Sequence, residues 1–280
     1  MIKISAFIIA KNEANRITKA INSLKNVVDE IIVVDSGSTD DTVIISQNLG
    51  AKVVFNEWLG YVKQKSFAEL LCKHDWILNI DADEELTDQL QEEIKHKFSL
   101  PSYNDFNAYY INLVILHRND KKARLFAPSN RVIRLYNRKF CSFANTKKTT
   151  THDAVTFNSG SVATSKLVCS FKNPAYHRSA SSIEQLINKA NFYSGQQAKD
   201  MISLSREPSI FRIACELPLC FLKAFIIRRY FIFGFDGFVD SVIFAFARFA
   251  RLAKTREFTF MINQQSNDKK PLRQKSKFLT

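Results

Sequence analysis

Apolar residues near the start of this chain come in short runs, separated by stretches with helical spacing. Residues 2–10 form a nearly continuous apolar run, as a strand buried on both faces requires. Ile17, Ala20, Ile21 and Leu24 then recur at i, i+3, i+4, i+7, the stripe of an amphipathic helix. Residues 30–34 read as a second strand, and Thr39 or Asp40 as the cap of a helix over 42–49. A third strand is expected at 52–55. A helix is expected over 60–71, with Phe67, Leu70 and Leu71 on one side, and a fourth strand at 76–80. Thr87 caps the next helix, which carries Leu90, Ile94 and Phe98. Alternating strands and helices predict a doubly wound, mostly parallel α/β sheet, and ligands of such sheets bind outside the carboxyl ends of the strands. Glu13, Asp35 and Asp81 all fall at such ends.

Past Pro101 the pattern loosens. Residues 108–116 and 131–136 read as strands joined by a basic loop over 117–124, and 140–161 as polar and irregular. A helix is expected over 182–199. Residues 210–260 are dense in Phe and broken regularly by Arg and Lys. They form either a helical cap on the main domain or an amphipathic surface in an anionic membrane interface, and the aromatic excess favours the second. The basic end of the chain reads as a disordered tail.

The 280 residues, 46% of them hydrophobic, have room for one large α/β domain with an appendage, or for two modest domains. A net charge of +13 calls for an anionic partner: nucleic acid, a membrane surface or a phosphorylated substrate. No zinc-finger, RRM or helix-turn-helix signature is present, which sets nucleic acid aside. Only seven glycines are available, so a Gly-rich phosphate loop is not expected to carry the chemistry. The five cysteines are odd in number and lack Cys-x-x-Cys spacing, which argues against a disulfide framework or zinc site and for a reducing compartment. The N-terminal apolar run is too short for a signal-peptide core with a cleavage site, and no run nears the ~18 apolar residues of a spanning helix.

The most informative stretch is Trp76-Ile77-Leu78-Asn79-Ile80-Asp81-Ala82-Asp83-Glu84-Glu85. Two carboxylates at i and i+2, just past a strand, can share one divalent cation and the diphosphate it clamps, and hard oxygen ligands suit Mg²⁺ or Mn²⁺. The turn Asp35-Ser36-Gly37-Ser38 lies at a neighbouring strand end, and the two together suggest a nucleotide-sugar site. The plainer reading makes Asp81 and Asp83 helix-start residues, Asp35 a turn former and Glu13 a solvated first-turn residue. His177 reads as a satisfied structural histidine or a third metal ligand. Arg131 and Arg134 are expected on one side of their strand, binding phosphate or lining a solvated face.

Phe7-Ile8-Ile9-Ala10-Lys11-Asn12-Glu13, Val33-Val34-Asp35-Ser36-Gly37-Ser38-Thr39-Asp40 and the Asp81 stretch together resemble glycosyltransferase family 2, in particular its lipopolysaccharide core β-glucosyltransferases. The resemblance continues in order through Arg131-Val132-Ile133-Arg134-Leu135-Tyr136, Thr151-His152-Asp153, Ala175-Tyr176-His177 and Phe233-Gly234-Phe235-Asp236-Gly237. It implies a GT-A fold with a C-terminal amphipathic helical extension, a nucleotide-diphosphate-sugar donor such as a UDP-sugar, a divalent metal, and inversion at the anomeric carbon. Glu13, Asp35 and Asp81 would bind the donor, and Asp83, Asp81 and His177 the metal. Asp153, aided by His152, would be the base, although the subgroup carries a Glu one methylene longer at that position. Residues 1–200 would be the catalytic domain, with a donor half over 1–100 and an acceptor half over 101–200. Residues 201–260 would bind membrane and 261–280 form the tail. The acceptor would be a lipopolysaccharide-core or lipid-linked glycan of the bacterial envelope, met from the cytoplasmic face of the inner membrane. Two rivals stand beside this reading. One is an inactive relative that binds nucleotide sugar or membrane. The other is a nucleotidyltransferase, which Ala10-Lys11-Asn12-Glu13 disfavours because it replaces the expected Gly-rich loop.

Overall fold

A computed structural model describes residues 2–118, 120–143, 154–158, 167–178 and 180–268. The first half follows the expected alternation: β1 (Ile4–Ala10), α1 (Ala14–Leu24), β2 (Glu30–Asp35), α2 (Thr42–Asn48), β3 (Lys52–Phe55), α3 (Tyr61–Leu71) and β4 (Trp76–Asn79). A short β5 (Glu84–Leu86) precedes α4 (Asp88–Ser99). The second half holds β6 (Ala108–Ile115), β7 (Ser129–Asn137), β8 (Cys141–Phe143), β9 (Val155–Phe157), β10 (Val168–Ser170) and β11 (Ala175–His177). Three helices end the described chain: α5 (Ile183–Ser203), α6 (Ile210–Leu222) and α7 (Phe235–Asp268).

The main sheet runs β3-β2-β1-β4-β7-β6-β11-β5, with β10 beside β6. β1, β2, β3 and β4 are parallel, while β7 lies antiparallel between β4 and β6. This is a GT-A architecture, a mostly parallel sheet with a mixed edge. All seven residues of β1 are buried, and their period of two feeds two cores. Ile4, Ala6, Ile8 and Ala10 pack with Ile17, Ile21 and Leu24 of α1, while Phe7 and Ile9 face the side that holds Ala68 and Cys72. Each fully buried Ile, Leu or Phe among these stabilises by about 1.5–3 kcal/mol. Thr87 caps α4 as expected, accepting from the Leu90 amide, and Leu90, Ile94 and Phe98 are buried.

Several expectations need correction. Leu70 is not on the inner face of α3. It is 81% exposed, and the residues buried on that helix are Gln64, Lys65, Ala68 and Glu69. The polar stretch 140–161 contains an ordered piece, the antiparallel β8–β9 ribbon. Arg131 and Arg134 do line one cavity, but alternation cannot achieve this, because residues three apart face opposite ways in a regular strand. The pairing of β6 with β7 steps from Tyr109↔Leu135 to Tyr110↔Ile133, so Arg134 is the extra residue of a bulge that restores the two arginines to one side. Finally, α7 continues to Asp268 and overruns the start of the expected tail.

The C-terminal helices differ in how much of their surface they bury. α7 packs on α5 and α6 and buries Ser241, Ala245, Leu252 and Thr255. α6 buries none of its own residues and leaves Phe211 80% exposed. Among the described residues no helix is long and apolar enough to cross a membrane. The start of α7 is fixed by close contacts. His117 stacks on Phe233 with centroids 5.1 Å apart, and Arg118 donates to Asp240 at 2.9 Å. A Cβ on Gly237 would lie 1.8 Å from the Tyr230 carbonyl oxygen, so only glycine admits that turn against the helix.

Candidate active site

The carboxyl ends of β1 and β4 deliver Glu13, Asp81 and Asp83 to one place, and β11 brings His177 there from the other side of the sheet. Asp81 is held between two cations. Lys65 donates to its Oδ1 at 2.7 Å and Arg134 to its Oδ2 at 2.5 Å. Burial pushes the Asp81 pKa up, but Arg134 and Lys65 outweigh it and hold the carboxylate well below its ordinary value. Arg134 also binds Glu84. Burial raises Glu84's pKa, and the charge of Asp81 adds to that against the pull of Arg134.

Asp83 faces two cations and a histidine. Its Oδ2 lies 3.2 Å from Arg16, 3.5 Å from Lys189 and 3.6 Å from His177. Burial alone would raise its pKa, yet His177, Lys189 and Arg16 bring it down to about 2. His177 shows the reciprocal effect. Burial disfavours its charge, but Asp83, with Glu84 and Asp81 behind it, raises its pKa. Arg16 bridges the group to Glu13 through an Nε–Oε2 bond of 2.7 Å. Burial raises the Glu13 pKa against this neighbour's pull.

Two cavities meet at this cluster. The smaller, about 570 Å³, lies between Glu13, Lys65 and Asp83 on one side and α5 and α7 on the other. The larger, about 930 Å³, is walled by β6, β7 and the turn at 227–230. Asp81, His177 and Tyr230 line both. A donor on one side and an acceptor on the other would therefore meet at Asp81 and His177.

The donor set fits a hard divalent cation in part. The Asp83 contacts all fall on Oδ2, and Oδ1 carries none of them. Among the described residues no three His, Cys, Asp or Glu side chains converge as a ready-made cage. Mg²⁺ and Mn²⁺ suit such a partial site, because they are commonly held by one or two carboxylates plus substrate phosphates and water.

The structure brings Glu13, Asp81, Asp83 and His177 together, while the carboxylate of Asp35 sits in its own turn. Its Oδ2 accepts from the amides of Gly37 at 2.8 Å and Ser38 at 2.9 Å, and it lines neither cavity. His152 and Asp153 lie outside the described residues; Ala154, next in the chain, lines the larger cavity. Lys65, Arg16, Lys189 and Glu84 escaped sequence reasoning. Only Arg16 carried a usable signal, standing one helical turn after Glu13.

Residues 5–160 match the family model described as "Glycosyl transferase family 2". The chain is 62% identical over 261 residues to an uncharacterized glycosyltransferase of Rickettsia bellii, covering 93% of this chain and 88% of that one. A second, from Rickettsia felis, is 62% identical over 257 residues, with 92% and 90% covered. Similarity extends to the lipopolysaccharide core biosynthesis glycosyltransferase LpsC of Rhizobium meliloti, 28% identical over 262 residues, 90% of this chain and 91% of that one.

Proposed function

The chain belongs to glycosyl transferase family 2, and from that premise we propose that it moves a hexose from a UDP-sugar to a lipopolysaccharide-core or lipid-linked glycan, with inversion at the anomeric carbon. The observation that carries this reading is the meeting of two cavities at Asp81 and His177. The smaller cavity takes the donor, with Glu13 and Asp81 toward the nucleoside side and Lys65 and Lys189 near its phosphates. The acceptor hydroxyl approaches from the larger cavity. Asp83, flanked by Asp81 and His177, would hold a Mg²⁺ or Mn²⁺ ion. When bound, that ion neutralises charge on the leaving diphosphate as a Lewis acid. His177 would bind such an ion as the neutral imidazole, the form that Asp83 disfavours by raising its pKa.

The acceptor must lose its proton as it attacks. Asp153, supported by His152, is the proposed base, and a positioned base of this kind contributes typically ~10²–10⁴-fold. The displacement is direct, with no enzyme-bound sugar. The breadth of the likeness to LpsC supports an acceptor of the lipopolysaccharide-core class. The exposed apolar surface of α6, with Arg212 and Lys223 nearby, supports a peripheral position on anionic lipid at the cytoplasmic face of the inner membrane.

Calorimetric titration with UDP, GDP and CDP, with and without Mn²⁺, tests the donor site. Metal-dependent binding of UDP, abolished in Asp83→Ala, is the expected result. A protein that binds none of the three refutes the reading and leaves a relative without transferase activity. Full turnover in Asp153→Asn removes Asp153 from the base role.

A further inference from the structure

The larger cavity has a charge pattern that the transfer reaction alone does not require. Four arginines line it, Arg131, Arg134, Arg228 and Arg229, against two carboxylates, Asp81 and Glu84. Arg134 is spent on both carboxylates. Among the described residues none of the other three arginines makes an ion pair. Aromatic rings hold two of them in place without neutralising them. The Arg131 guanidinium lies 4.5 Å from the Tyr110 ring centre, and that of Arg228 lies 4.5 Å from Phe244.

Two further features lie on the wall of the same cavity. Arg229 has φ of 61°, a left-handed conformation that glycine adopts at less cost, two residues past a π-helical turn at Lys223–Ile227. Asn79 is fully buried at the cavity wall, and neither its amide oxygen nor its nitrogen has a hydrogen-bond partner. Native structures rarely leave such a group unmet, so a strained arginine and an unmet amide on one wall suggest a ligand.

Resting on the transferase reading above, we propose that the larger cavity selects an acceptor glycan bearing an anionic group, a phosphate or a carboxylate. Arg131, Arg228 and Arg229 receive the anion, and Asn79 receives a sugar hydroxyl. Guanidinium forks match both anions in geometry, and their bonds to them are charge-assisted. The donor's diphosphate is the competing occupant. It is disfavoured because Glu13, Lys189 and the rest of the donor wall open to the smaller cavity.

The test uses the full-length protein and three probes. These are rough-type lipopolysaccharide, the same material stripped of phosphate, and the same material with its carboxyls reduced; UDP with Mn²⁺ is titrated separately. Arg228→Gln/Arg229→Gln is expected to weaken binding of the untreated probe by about tenfold or more, the loss of one charge-assisted bond, with UDP affinity unchanged. A Lys25→Gln/Lys52→Gln control removes two charges elsewhere and is expected to bind like wild type. The chemical treatment that reproduces the loss on wild type identifies the anion. Arg229→Gly and Asn79→Leu are each expected to bind the untreated probe more weakly yet unfold no earlier than wild type, a split that a purely structural role would not give. Equal binding of all three probes overturns the proposal, as does a UDP affinity that falls together with acceptor binding. A wild type that binds no nucleotide overturns both readings; one that binds UDP but ignores acceptor charge overturns this one alone.

Discussion

Replacing Lys65 with Met removes a buried cation while keeping a stem of similar length. The ammonium lies 2.7 Å from Asp81 Oδ1 and 5.6 Å from the centre of the Phe143 ring. At that separation, with an effective dielectric constant near 20, the gross attraction is roughly 6 kcal/mol. Burying an ammonium costs several kcal/mol of hydration, which offsets much of it. Breaking a buried pair from one side typically costs about 3–5 kcal/mol. Asp81 keeps Arg134 and its side chain is 33% exposed, so water replaces part of what Lys65 supplied. The expected loss is therefore about 2–3 kcal/mol, read as a lower urea midpoint at unchanged slope. The pH dependence gives an independent check. A carboxylate whose pKa is lowered by folding stabilises above its unfolded pKa of about 4, and that stability is lost as the pH falls through the folded value. The gap between wild type and Lys65→Met should be flat from about pH 7 down to about pH 4, and should narrow only as the pH falls on toward the folded value of the Asp81 carboxylate. A loss under about 0.5 kcal/mol, or a gap that already closes between about pH 7 and 5, would refute the assignment of Lys65 as Asp81's counter-charge.

Three other outcomes are expected. Thr87→Ala removes both the α4 cap and the 2.7 Å bond to the Pro174 carbonyl, and should cost about 1.5 kcal/mol in denaturant melts. Gly237→Ala drives a Cβ into the Tyr230 carbonyl and should destabilise by about 3 kcal/mol, a loss that a thermal scan detects and that an unshifted Tm would contradict. Burial pushes the thiols of Cys72 and Cys141 up to about 12, so neither should react with a disulfide reagent near neutral pH until the protein unfolds; mass mapping of labelled cysteines decides this.

Hydrophobic spacing alone located β1, α1, β2, α2, β3, α3, β4 and α4 to within a residue or two, because each of these elements buries a local stripe whose period is written in the chain. The acidic ends of β1 and β4 were legible for the same reason: parallel strands must deliver their carboxyl ends to one edge, and Glu13, Asp81 and Asp83 stand there. The partners of these acids were not legible. Nothing in Tyr61-Val62-Lys63-Gln64-Lys65 distinguishes the lysine that is buried on Asp81 from its neighbour two residues earlier. The bulge that turns Arg134 toward the cavity depends on a register with β6. That Asp35 also orders its own turn, accepting from the amides of Gly37 and Ser38, was not legible either. In the last third, composition revealed an amphipathic region but could not divide it, since α6 and α7 both set Phe and Arg among apolar residues. What decides that α7 buries its centre while α6, packed on α7, keeps an open outer face is the set of contacts with α5, His117 and Arg118, residues that lie 30 or more positions away. Local periodicity thus set which elements form and where the acids fall. Pairings between residues far apart in the chain set which charges those acids meet and which surfaces remain open.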